Sequence, residues 1–162
     1  MVFVRVHTVK GSITAEQKRH LSVQLIAAVA KVEGLVDNDT HRLTSWVQIF
    51  ELDPENWFLG SDDGDSVNKW QVDVITPQKL LQTPIDARRM VTTVTAAVRS
   101  VVGEDALPAR GPWVQVYVIP YGQWSMDGKI PDWDDFRARL AAESPEAEEA
   151  LDLVFGPDRT VG

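Results

Sequence analysis

Gln48 and Gln115 each stand two residues after a tryptophan, in the phrases WVQIFELDPENW (Trp46–Trp57) and WVQVYVIPYGQW (Trp113–Trp124). Two amides at equivalent places can face a pocket and hold a ligand's polar group by hydrogen bonds. The competing and commoner reading is a pair of polar residues at a contact between subunits. Trp57 and Trp124 close the two phrases. They can wall an aromatic pocket, although tryptophans at such corners more often anchor packing. Arg5 and His7 share one face of the first alternating segment, where surface or interface placement is the commoner outcome. His20 lies beside Lys18 and Arg19, and His41 lies in a polar stretch beside Arg42. Arg88 and Arg89 repeat the placement of Arg19 and His20, and solvated helix faces account for both pairs.

Other chemistries find no residues to carry them. No spacing of His, Asp and Glu suggests a metal site. There is no GxGxxG, P-loop or GxSxG, so no cofactor is expected. The chain has no cysteine, which removes disulfides, thiolate ligands and a thiol nucleophile. A net charge of −8 argues against nonspecific binding to nucleic acid or to an anionic membrane. Much of that charge sits in SDDGD (Ser61–Asp65) and ESPEAEEALD (Glu143–Asp152), so it says little about a ligand's sign. No apolar run approaches the roughly 20 residues that span a bilayer. The start, MVFVRVHTV, reads as a strand and not as a signal peptide. The expected location is cytoplasmic.

The elements that must position these residues follow from periodicity. Val2, Val4 and Val6 alternate with Phe3, Arg5 and His7, a strand with one apolar face. Thr14 with Gln17 forms a capping box, and Leu21, Leu25, Ala28, Val29 and Val32 recur at helical spacing up to Gly34. A polar loop from Asp37 to Arg42 leads to a second strand, Thr44 to Leu52, and a turn at Pro54. The order then repeats. Trp70, Val72 and Val74 alternate in a strand. Thr83-Pro84 opens a helix striped by Met90, Val94, Ala97, Val98 and Val101 and ended by Gly103. Trp113 to Ile119 is the fourth strand, with a turn at Pro120-Tyr121-Gly122. We divide the chain into a first β-α-β unit at 1–60, an acidic connector at 61–69, a second unit at 70–129 and a tail at 130–162 with short helices. In the tail, Trp133, Phe136 and Leu140 mark one helix, and Leu151 and Phe155 anchor another. Asp132, Asp134 and Asp135 sit where they favour a helix dipole, which suffices to explain them.

The fold class is α+β: two fused β-α-β units, each with parallel strands, forming a four-stranded sheet with two helices on one face. That leaves Trp46, Gln48, Phe50, Trp113, Gln115 and Tyr117 on an uncovered face, so an oligomer is expected.

This plan resembles the tautomerase superfamily. The segments that carry the likeness are VFVRVHTVKGSITAEQKRHL, LTSWVQIFELDPENWFLG and PWVQVYVIPYGQWSMDGK, and it covers roughly residues 1–140. The fused length, the Gly/Asp connector and a tail with Trp133 and Phe136 look most like the cis-3-chloroacrylic acid dehalogenase group. The resemblance implies a homotrimer of fused units. It also implies chemistry at an amino-terminal proline, exposed by loss of the initiator methionine, whose amine exchanges protons near neutral pH. Nearby arginines would grip a substrate carboxylate.

The chain departs from that pattern. Position 2 is Val2, whose primary amine can act as a base only if Met1 is removed. If Met1 stays, the amine is displaced by one residue, roughly 3.3–3.6 Å of extended chain. The group's helix histidine falls near Val29, its tyrosine at Gln115, and its late glutamate near Met126, beside Asp127. Its paired arginines are represented only by Lys79. Dehalogenase activity is therefore not expected. The expectation is a tautomerase-like enzyme of isomerase or lyase type, acting on an enolisable or unsaturated carbonyl compound through non-standard residues. Arg5, His7, Gln48, Trp57, Gln115, Tyr117 and Trp124 are the pocket candidates. The missing arginines and abundant aromatics suit an aromatic ligand better than a simple dicarboxylate. The alternative is a noncatalytic ligand-binding or assembly protein that keeps the fold.

Overall fold

A computed structural model describes residues 2–58, 60, 69–81, 84–103, 107 and 111–156. Four strands, β1 (Phe3–Val9), β2 (Trp46–Leu52), β3 (Trp70–Pro77) and β4 (Trp113–Ile119), form one sheet in the order β2-β1-β3-β4. β1 and β2 are parallel, as are β3 and β4, and the two units meet through antiparallel β1 and β3. The two long helices, α1 (Ala15–Glu33) and α3 (Pro84–Val102), lie side by side on one face. The expected α+β architecture is the one found.

Local chemistry explains the helix ends. Thr14 accepts from the Gln17 backbone while the Gln17 side chain accepts from the Thr14 N–H, so two otherwise unpaired donors are satisfied together. Gly34 ends α1 with φ 71°, and its N–H returns to the Ala30 carbonyl. Gly103 ends α3 with φ 87°, its N–H bonded to the Arg99 carbonyl. Pro84 opens α3; Thr83, the expected cap, the acidic connector at 61–68 and the chain end at 157–162 lie outside the described residues.

Even-numbered residues of β1 and β3 face the helices. Val4, Val6, Val72 and Val74 meet Leu21, Leu25, Val29, Met90, Val94 and Val98, all without solvent exposure. Fully burying each such side chain contributes about 1.5–3 kcal/mol, which makes this layer the main source of stability.

Two corrections apply to the expected outline. The stretch 37–42 is not simply a loop: Asn38 caps a short helix, α2 (Asp39–Leu43), by accepting from the His41 N–H. The second strand starts at Trp46, because Thr44 and Ser45 still bond back into α2. The tail forms α4 (Trp133–Glu143) and α5 (Glu148–Phe155), and Asp132 caps α4 by accepting from Asp134 and Asp135. Phe136, Leu140, Leu151 and Phe155 build a second core with Ala30, Leu35, Leu80 and Trp124, with Phe3 and Ile75 packed against it. The tail thus covers the end of the molecule where β1 begins.

Candidate functional site

The sheet face turned away from α1 and α3 is written in three rows. The register aligns Gln48, Arg5, Asp73 and Gln115 across the middle. Trp46, Phe3, Ile75 and Tyr117 form the row on one side, and Phe50, His7, Gln71 and Trp113 the row on the other. Trp46, Phe50, Trp113 and Tyr117 remain between 42% and 69% exposed. Phe3 stacks on Trp46 at 5.2 Å, and His7 on Phe50 at 4.9 Å. In the centre, Asp73 accepts from the Gln71 amide at 2.9 Å and lies 3.6 Å from His7 Nε2. The Tyr117 hydroxyl donates to Gln115 Oε1 at 2.5 Å.

The sequence candidates do not converge on one pocket. Arg5, His7, Gln48, Gln115 and Tyr117 share the open face. Gln48 and Gln115, however, lie on the two outermost strands, three strand spacings apart, about 14 Å. Trp57 is half-buried beyond the end of β2, and its carbonyl accepts from Lys69. Trp124 lies at the opposite end, buried against Phe3 at 4.8 Å and tied into the tail core. Packing accounts for Trp124.

At the head of β1 the sequence reasoning missed a cluster. The Val2 side chain is wholly buried, and the Val2 carbonyl accepts from the Trp46 N–H at 2.9 Å. One step beyond the pairs of Phe3 with Trp46 and Ile75 lie Ser45 and Thr76. The Thr76 hydroxyl donates to Glu33 Oε1 at 2.5 Å, and the Ser45 hydroxyl lies 3.4 Å from His41 Nε2. Glu33 Oε2 and His41 Nε2 are 3.9 Å apart, and neither side chain reaches solvent. Glu33 Oε2 and His41 Nδ1 have no hydrogen-bond partner, an uncommon condition for buried polar atoms. A signal for Glu33 was present: it follows Val29 by four residues and so continues the buried stripe of α1. His41 carried no such signal, since five helical residues are too few to show a period.

Two clefts flank this region. One, about 550 Å³, runs between α1 and β2 past Ser22, Ile26, Ser45 and Val47, with the Asp37–Arg42 ion pair at its edge. The guanidinium of Arg42 holds the Asp37 carboxyl below its ordinary range. The other, about 530 Å³, lies where α1 ends, between the turn after β3, α3 and α5, and Lys31, Lys79 and Arg89 line it. Among the described residues no group of three or more His, Cys, Asp or Glu could hold a metal, and no helix is long and apolar enough to cross a membrane.

No protein-family model matches the chain, and no curated protein matches it. Solved structures do. One is Pt0534 inactivated by 2-oxo-3-pentynoate, with a TM-score of 0.64 at 17% identity, covering 79% of this chain and 94% of that one. A fused 4-OT solved as a symmetric trimer gives 0.63 at 17%, covering 78% and 92%. Malonate semialdehyde decarboxylase gives 0.59 at 15%, covering 85% and 97%. The chain has the same fused, double β-α-β fold as these structures. At these identities the likeness concerns the fold and singles out no dehalogenase group. Within this fold, the polar row, the head of β1 and the two clefts are the places where chemistry can be sought.

Proposed function

We propose that the protein is a tautomerase-like enzyme acting on a small enolisable or unsaturated carbonyl compound, working as a homotrimer with non-standard catalytic residues. The observation that carries this reading is the fold match over nearly the whole length of proteins concerned with such compounds. One is a malonate semialdehyde decarboxylase and another is inactivated by 2-oxo-3-pentynoate. The aromatic rows of the open face support a flat, aromatic ligand. Val2 is the catalytic candidate if Met1 is removed, because its amine would then lie at the head of β1. Arg5, His7, Gln48, Gln115 and Tyr117 are the open-face candidates for holding the ligand.

Ketonisation of phenylenolpyruvate, followed by ultraviolet absorbance alongside intact-mass measurement of the purified chain, tests the reading. The expected result is a rate at least about a hundredfold above buffer, the scale of positioned acid–base catalysis. No rate above buffer with phenylenolpyruvate and other keto–enol pairs would remove the enzymatic reading. Catalysis with Met1 retained would remove the amine of Val2 and leave side chains to do the work.

One observation favours a second reading, a noncatalytic binding or assembly protein. Residue 2 is a valine whose side chain belongs to the core, so the head of β1 serves packing. Binding of phenylenolpyruvate or polycyclic ligands without turnover is the outcome that reading expects.

A further inference from the structure

The cleft of about 530 Å³ at the end of α1 gathers cations from three elements of a chain whose net charge is −8. Lys31 comes from the last turn of α1, Lys79 from the turn after β3, and Arg89 from α3. Among the described residues, two acids share the lining. The Asp86 carboxylate lies 3.9 Å from Arg89. Glu33 turns its carboxylate inward to Thr76 and His41, with no side-chain exposure, so it does not answer those cations from inside the cleft. The tail completes the wall. Val154 of α5 lines the cleft, and Lys79 Nζ donates to the Gly156 carbonyl at 2.8 Å. Gly34 lets α5 approach this closely, since a Cβ there would stand 2.8 Å from Val154 Cγ2.

We infer that this cleft is a binding site for a small anion, a carboxylate or phosphate group, held by Lys31, Lys79 and Arg89. An ammonium offers three donors and a guanidinium a planar fork, and both suit a compact oxyanion. The site draws from α1, α3 and the turn after β3 the positive charge that the resemblance would place on paired arginines. The inference rests on the proposed carbonyl chemistry only for the carboxylate arm of its test.

That test is calorimetric titration at low ionic strength with 2-oxobutanoate, its neutral methyl ester and inorganic phosphate. Lys31 and Arg89 are exposed, so Lys31→Ala and Arg89→Ala should leave the fold intact, which circular dichroism checks. The acid should bind, the ester should not, and affinity should fall as salt screens the cations. Each substitution should weaken binding by about tenfold, the scale of one charge-assisted hydrogen bond. Binding of 2-oxobutanoate alone assigns the site to a substrate carboxylate, and binding of phosphate as well makes it a general small-anion site. Equal binding of acid and ester, unchanged binding in the double variant, or no saturation by either anion up to about 20 mM overturns the inference. Binding without any ketonisation keeps the anion site and removes the enzymatic reading; ketonisation without anion binding does the reverse.

Discussion

His41 and Glu33 are the residues whose loss the fold should feel most sharply. Each is the nearest opposite partner of the other, neither side chain reaches solvent, and removing one partner of a buried polar pair strands the other. His41→Ala should therefore lower the unfolding free energy by about 3 kcal/mol, measured by urea denaturation. Glu33→Gln keeps an oxygen for the Thr76 hydroxyl and should cost less than Glu33→Ala. Equal losses for the two Glu33 variants would mean that the oxygen bonded to Thr76 contributes nothing. Sequence reading reached the residues of the open face, because alternation alone assigns them. It did not reach His41, whose burial comes from α2 meeting the end of α1 in space.

The helices and strands were legible for a related reason. The capping box at Thr14, the stripes of α1 and α3 and the alternation of β1 are local patterns, and tertiary packing agrees with all of them. α2 was hidden because its one turn is held by groups far along the chain. Glu143 of α4 accepts from the Thr40 N–H at 3.0 Å and from the Thr40 hydroxyl, and Asn38 donates to the Leu140 carbonyl. The Thr40 hydroxyl, then its backbone N–H, hold the Glu143 carboxyl below its ordinary value. A carboxylate depressed in the folded state contributes stability above its unfolded pKa, and that contribution is lost as pH falls through the folded one. Protection of the α2 amides against hydrogen exchange, relative to the unfolded chain at the same pH, should therefore fall below the ordinary carboxylate range, and Glu143→Gln should flatten that dependence. A second element-level prediction concerns Gly34. With φ 71° and Val154 so close, Gly34→Ala should destabilise by about 1–2 kcal/mol from backbone strain alone, seen as a lower thermal midpoint. No change would mean that Gly34 does not hold the left-handed conformation at the end of α1.

At the scale of the whole molecule, the open face sets the expectation. Rows of exposed aromatics across a whole sheet face exceed what a lone small protein ordinarily shows to water. Light scattering should give three chain masses, and Trp46→Glu with Trp113→Glu should shift the protein toward one. A stable wild-type monomer would overturn the trimer. The seam between the units carries a further consequence. β1 and β3 cross antiparallel, with Arg5 directly opposite Asp73. Two copies of the first unit, paired in the same way, would set Arg5 against Arg5; two copies of the second would set Asp73 against Asp73. Like charges directly opposite are unfavourable on a sheet. The two halves thus complement each other's charge along this seam: a gene split at the connector should yield fragments that pair with one another in preference to themselves.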